Sequence, residues 1–391
     1  NSRIGLVIPS DLLQLDYAKK VQDWITKNLD NTLIIGFDEL VFPNIQQDVV
    51  LLLGEKNQNA KQGRLGLISV KNTHELKFNL WEKFVDSKNL TNSKELDWDL
   101  QYLSDSQIST IKKVSTNQNV SSFGEIADLR IGIVTGANKF FCLHKDQLKD
   151  LGIRRGYNKG LRVRKMIGSG IDVDGIEYSH TNHERNHSKN QSTSLLEFNS
   201  SFERVKLTEK IQDHLLAGES LGYHERNQLK RRNPWYSSEH VLTTQIGMYK
   251  RSHDYCKLFF KPDDIFSTDT VYRVWIKELY TDEITAKQFV FNFVNSLTYL
   301  FCEMQGRSYG GGVLELTPKE IRTLKLPMYK CTNEQFSKLD LMFKQKESIE
   351  NILDYTDEII LNFLGDSEKK VLRESWKKLK NRRNNRKKRS V

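Results

Sequence analysis

Among the 391 residues, the spacing that most suggests chemistry is His183-Glu184-Arg185-Asn186-His187. On a helix, H-E-x-x-H sets two imidazoles on one face for zinc and leaves a carboxylate as general base. Its surroundings argue against that use. The flanking Tyr-Ser-His-Thr-Asn and Ser-Lys-Asn-Gln-Ser carry no apolar stripe to seat a rigid helix, so residues 178–194 read as a polar, mobile loop. Glu75-Leu76-Lys77, downstream of Asp48, has the residue types of a metal-dependent nuclease, but such triplets recur by chance. Gly168-Ser169-Gly170 lacks the preceding apolar strand and the following helix of a phosphate loop. Cys142, Cys256, Cys302 and Cys331 lie far apart, which supports neither a zinc site nor a disulfide scaffold and fits reduced thiols in a cytoplasmic protein. No metal site is expected.

What remains is a set of glycine-rich and basic-aromatic clusters: Gly132-Ile-Val-Thr-Gly-Ala-Asn138 with Lys139, Arg231-Arg232-Asn-Pro-Trp235-Tyr236, Tyr249-Lys250-Arg251, and Gly306-Arg307-Ser-Tyr309 followed by three glycines. Guanidinium groups read guanine edges or clamp phosphates, aromatic rings stack on bases, and glycines let backbone amides approach a phosphate. Asn138, Lys139, Arg231, Arg232, Trp235, Tyr236, Lys250, Arg251, Arg307 and Tyr309 are therefore the candidate contacts to double-stranded DNA. Each has a plainer reading as core residue, tight turn or solvated cation.

The elements that must position them follow from apolar patterning. Residues 4–8, 32–37, 48–53 and 65–70 read as buried strands, with a helix expected over 11–28, which together make the end of an α/β sheet. Residues 73–120 turn polar and read as a linker. A second, α+β unit is expected over 121–330, with strand-like pieces at 131–134, 139–143 and 270–276 and one long apolar helix over 286–304. Residues 331–368 read as a helical appendage. Residues 369–391 hold twelve Lys/Arg against Glu374 alone, so this basic tail accounts for the whole +10 of the chain. With 38% hydrophobic residues the chain is too apolar to be a disordered polycation. Its longest apolar run, interrupted by Asn292, Asn295 and Ser296, is too short to span a bilayer, so membrane partners are not expected.

Three of these stretches resemble the carboxy-terminal part of the adenine-specific DNA methyltransferases of restriction-modification systems with a TaqI-like specificity domain. Gly5-Leu-Val-Ile-Pro-Ser10, Ile35-Gly-Phe-Asp38, Val41-Phe-Pro43 and Asp48-Val-Val-Leu-Leu-Leu53 are similar to the last strands of the catalytic domain. Phe123-Gly-Glu-Ile-Ala127 with Gly132–Asn138 resembles the opening of the target-recognition domain, and Gly306 through Pro318 to Leu326-Pro327 resembles its close. The resemblance implies that residues 1–72 are the remnant of a Rossmann-like S-adenosylmethionine methyltransferase sheet, that 121–330 read the DNA target, and that a helical segment closes the chain.

It also implies adenine-N6 methylation by base flipping, with S-adenosylmethionine as cofactor. The family's Asn-Pro-Pro-Tyr-type tetrapeptide is absent from these residues, and Asn233-Pro234-Trp235, inside the recognition segment, is no substitute. The expectation is a chain that begins within a longer protein, lacks its catalytic half and is inactive alone. Phe42 falls where family members stack an aromatic ring on the extruded base. Two other arrangements stay open. One is a non-catalytic specificity subunit, which would not need residues 3–70. The other is a fused restriction-methylation enzyme, and a restriction endonuclease is a further candidate partner.

Overall fold

In a computed structural model of the chain the described residues are 2–10, 18–29, 31–37, 39, 41–42, 49–56, 64–77, 102–168, 173–238, 242–309 and 312–385. The four amino-terminal apolar runs form strands β1 (Ser2–Pro9), β2 (Asn31–Phe37), β3 (Val49–Lys56) and β4 (Arg64–Val70), in the spatial order β1-β3-β2-β4. Strand β3 is antiparallel to β1 and to β2, and β4 is parallel to β2. Helix α1 (Lys19–Asn28) joins β1 to β2, while residues 11–17 of the expected helix lie outside the described residues. The branched residues Ile34, Ile35, Val50 and Val70 are buried, whereas Leu6 and Val7 on the edge strand are 45% and 54% exposed.

The second body has a core running from Leu103 to Leu379. Part of the segment read as a linker belongs to it. Helix Asp105–Ser115 starts at Ser104, whose side chain accepts from the Gln107 amide in a capping box, and buries Ile111 and Val114. A four-stranded antiparallel sheet follows the order Leu258–Phe260, Ile246–Tyr249, Val271–Ile276, Ala127–Ile131. A second sheet, of five strands, orders Ile265–Ser267, Leu161–Ile167, Ser194–Phe198 and Cys142–Leu143, with Gly156–Asn158 paired to the second of these. Val120–Ser122 pairs with Lys325–Pro327, so this stretch begins and ends side by side.

Several local expectations are corrected. Residues 286–304 form two helices, Ala286–Asn292 and Ser296–Gln305, because the Asn295 side chain accepts from the Thr298 amide and caps a new start. Residues 138–141 make a helical turn, Asn138–Phe141, before the two-residue strand Cys142–Leu143. Residues 180–188 are a helix and not a loop: Ser179 caps it, His183 and Asn186 are buried, and the Asn186 amide donates to the Tyr178 hydroxyl at 3.2 Å.

The basic tail is no free tail either. Helix Asp366–Asn385 packs beside Ser296–Gln305 and buries Leu372, Trp376, Leu379 and Arg383, a stripe at helical spacing that the charge count conceals. Only 386–391 lie beyond the described residues. Near its end the Arg382 guanidinium lies 3.4 Å from the Tyr102 ring centroid and donates to that hydroxyl at 2.6 Å. Both groups lie over Gly36, where a Cβ would come within 2.8 Å of the Tyr102 oxygen, so the helix end meets β2.

Candidate nucleic-acid interface

The sequence candidates fall into two groups, and one segment of each, residues 132–133 in the first and Lys250 in the second, hydrogen-bonds to the turn at residues 267–271. In the first, Gly132 donates its amide to the Val271 carbonyl at 3.0 Å and Ile133 donates to Ser267 at 2.9 Å. A Cβ on Gly132 would stand 2.1 Å from the Thr268 oxygen, so only glycine permits this approach. Gly136, at φ +78°, turns the loop over Leu229. Two arginines hold that loop from below: Arg226 donates to the Gly136 carbonyl at 2.9 Å, and Arg232 donates to Val134 at 2.9 Å and to Ser237 at 3.2 Å. Asn138 accepts the Thr135 hydroxyl on its carbonyl oxygen, and Asn138, Lys139 and Arg231 are exposed.

Trp235 and Tyr236 serve the core of the five-stranded sheet. Trp235 packs 5.0 Å from Phe140 and donates its indole N–H to Glu219 at 3.0 Å, while Tyr236 is buried 5.2 Å from Phe198. Arg204 grips the same Glu219 with two bonds, 2.6 and 3.0 Å, and holds its carboxyl below the ordinary range. Arg232, Trp235 and Tyr236 are thus engaged with protein partners, whereas Asn138, Lys139 and Arg231 are exposed.

The second group is a three-stranded ribbon, Arg251–Ser252, Val313–Glu315 and Arg307–Tyr309. Lys250 donates its amide to Thr270 at 3.1 Å, which ties the ribbon to the shared turn. Glu315 is flanked by Arg251 at 2.6 Å and Lys250 at 3.4 Å. Burial pushes the Glu315 carboxyl up, but the two cations outweigh it and hold it low. Arg307 pairs with Glu320 at 2.9 Å, and Tyr309 is exposed. Gly312, at φ +74°, completes the turn. Phe42 is 38% exposed at a bend, and residues 43–48 beside it lie outside the described residues.

Sequence reasoning missed the residue that anchors this ribbon. Arg383, buried in the last turns of Asp366–Asn385, forms a bidentate pair with buried Glu303 at 2.6 and 2.8 Å. It also donates to the carbonyls of His253, at 2.7 Å, and Gly312. One guanidinium thus fixes the end of the Lys250-Arg251 segment and the turn that carries Arg307 and Tyr309. Its only signal in the sequence is its place on the stripe of Leu372, Trp376 and Leu379.

Side chains of the H-E-x-x-H and Glu-x-Lys patterns are engaged with protein partners. Glu184 is paired with Arg155, the His187 Nδ1 is 2.9 Å from the Thr193 hydroxyl, and His183 is fully buried against Tyr178. Among the described residues no group of three metal-ligating side chains is formed. Glu75 lies in a 3-10 turn, Thr73–Lys77, and accepts from the Lys71 amide at 2.9 Å, so it is not carried by a strand. All four cysteines are free thiols and buried. No helix among the described residues is long and apolar enough to cross a membrane.

A family model described as the C-terminal domain of type II methyltransferase M.Eco57I matches residues 95–361, and the chain belongs to this family. The type II methyltransferase M.AccI of Acinetobacter calcoaceticus is 22% identical over 330 residues, which is 82% of this chain and 58% of that protein. Among solved structures, the type IIL restriction-modification enzyme MmeI in complex with DNA aligns at a TM-score of 0.47 and 10% identity, over 97% of this chain and 50% of that one. The type IIG restriction endonuclease BpuSI aligns at 0.46 and 11% identity, over 98% and 47%. The chain therefore spans between about half and three fifths of the length of these relatives.

One cavity among the described residues, of about 480 Å³, is lined by charged helix residues including Asp354, Arg373 and Lys377, and another, of about 380 Å³, lies on the five-stranded sheet. Neither of these two is lined by a residue of β1–β4.

Proposed function

We propose that the chain is the carboxy-terminal portion of a site-specific DNA adenine-N6 methyltransferase of the bacterial cytoplasm, reading a duplex target through residues 121–330. The observation that carries this reading is that the 132–133 segment and Lys250, which lead into Asn138-Lys139 and Arg251, both hydrogen-bond to residues 267–271, within the segment that matches the methyltransferase family; exposed Arg231, with Arg307 and Tyr309 of the ribbon, is read as part of the same surface. Cations at the rim attract phosphates, and the exposed amide and guanidinium groups are of the types that read base edges. Arg232, Trp235 and Tyr236 then act as supports for that surface.

Residues 1–72 are read as the closing strands of a Rossmann-like methyltransferase sheet. Parallel β1 and β2 joined through α1, with β3 threaded antiparallel between them, support this. Among the described residues the outer edge of β1 has no partner strand, and Leu6 and Val7 on that strand are exposed. When bound by the complete enzyme, S-adenosylmethionine would supply the methyl group. This chain would contribute the Phe42 ring to stack on the extruded adenine, offsetting part of the few kcal/mol lost on unstacking.

The test is transfer of label from S-adenosylmethionine to duplex DNA, comparing this chain with one that includes whatever coding sequence precedes Asn1. Label on adenine N6 in the longer chain alone supports the proposal, and label on cytosine removes the adenine assignment. Binding without transfer favours the specificity-subunit reading.

A further inference from the structure

Residues 151–171 contain Arg154, Arg155, Lys159, Arg162, Arg164 and Lys165 and no Asp or Glu. The fold gathers these cations on the hairpin formed by Gly156–Asn158 and Leu161–Ile167, in which Tyr157 is opposite Arg162. Alternation turns Leu161 and Val163 into the core and leaves Arg162, Arg164 and Tyr157 on the other face. The cations divide into two sets. Arg155 is paired with Glu184, Arg164 with Glu197 at 2.5 Å, and Lys165 with Asp264 at 3.0 Å. Arg154, Lys159 and Arg162 are exposed and form no ion pair with a described residue.

The hairpin is braced in this shape. The Asn158 amide donates to the Arg154 carbonyl at 2.7 Å and its oxygen accepts from the Arg154 amide at 3.2 Å. At Gly160, with φ +77°, a Cβ would come within 2.3 Å of the Phe202 ring. Beside the hairpin opens the cavity of about 380 Å³, lined by Tyr157, Arg162, Arg164, Asn199 and Ser200 among others. Tyr157 is 66% exposed at its rim. Asn199 accepts the Ser201 amide on its carbonyl oxygen, which leaves its NH2 group as a donor, and Asn199, Ser200 and Arg162 line the same cavity. The same wall continues through Ser237 and Ser238 into the Arg231–Tyr236 segment, whose Arg232 donates to the Ser237 carbonyl.

We infer that this hairpin is a second clamp on the DNA, gripping backbone phosphates outside the base-reading surface. The inference rests on the reading that the chain binds duplex DNA, and it names residues that reading did not include. Three unpaired cations strung along a braced ribbon match a periodic polyanion better than a single phosphate ion. The guanidinium of Arg162 with the Asn199 and Ser200 donors suits one phosphodiester, and the Tyr157 ring covers the adjoining sugar.

The test uses the full chain and its R154Q/K159Q/R162Q variant, with folding checked by circular dichroism and thermal midpoint, titrated with a fixed duplex from about 50 to 200 mM salt. Three lost contacts should make the log–log salt slope shallower by about 2 to 3, weaken binding at 0.1 M salt by tenfold or more, and leave the preferred sequence unchanged. An unchanged slope in a chain that otherwise binds DNA would overturn the clamp and leave the DNA reading intact. Wild-type chain that binds no duplex would overturn both. A polyglutamate peptide that displaces duplex from wild type but not from the variant would reassign the hairpin to an acidic protein.

Discussion

Replacing Arg383 with Met should separate a structural helix from a basic tail. Arg383 and Glu303 are both almost wholly buried and joined by two hydrogen bonds, and the same guanidinium satisfies the carbonyls of His253 and Gly312. Removing the cation leaves a carboxylate buried without its partner, which costs about 3–5 kcal/mol when a buried pair is broken from one side. Spread over a core that runs from Leu103 to Leu379, that loss lowers the thermal midpoint by on the order of 5 °C. Urea unfolding of wild type, R383M and R383M/E303M measures it. The double variant should recover most of the loss, because an apolar pair of similar volume replaces a buried ion pair at little cost. DNA affinity should fall with R383M at temperatures where the protein is still folded, since the turn bearing Arg307 and Tyr309 loses its anchor. A loss under about 1 kcal/mol, or a double variant no better than the single, would refute the reasoning.

Three further outcomes follow. Truncation after residue 368 removes Leu372, Trp376 and Leu379 from the core, so it should yield an aggregating or molten chain by near-UV circular dichroism; a native spectrum with weakened DNA binding alone would restore the tail reading. His183 is held neutral by burial, then by the Arg155 charge, with its pKa pushed down to about 3. The unfolded chain therefore binds more protons between about pH 3 and 6.5, and this contribution to stability is complete above pH 6.5 and declines as the pH falls. Denaturation from pH 7 to 5 should show a decline of about 2 kcal/mol from this residue, which H183Q should lack, its slope of stability against pH being smaller by about one proton. Gly132→Ala should push the 132–138 loop off the 267–271 turn and weaken duplex binding in an anisotropy titration; unchanged affinity would mean that this junction does not shape the binding surface.

How much of this was legible depended on how local the determinant was. The runs at 4–8, 32–37, 48–53 and 65–70 are dense in Ile, Leu and Val, and each coincides with a strand of the first sheet. The piece at 270–276 likewise became Val271–Ile276. Capping chemistry decided the failures. A single asparagine, Asn295, divides the apolar stretch into two helices, and Ser179 starts a helix whose composition alone would not support one. Long-range pairing was harder still. Arg383 meets Glu303 across 80 residues, so composition alone counted it as a free cation. The same limit hid the difference between Arg232, which holds a loop, and Arg231 beside it, which faces solvent.

The most direct test of DNA reading by this chain is selection of duplexes from a randomised pool by the 391-residue protein at about 0.15 M salt, followed by sequencing. The account predicts enrichment of one short motif, with changed preference at single positions in R231Q or R307Q and the same motif retained in R154Q/K159Q/R162Q. Retention of the pool without enrichment of any sequence would contradict a target-recognition role for residues 121–330.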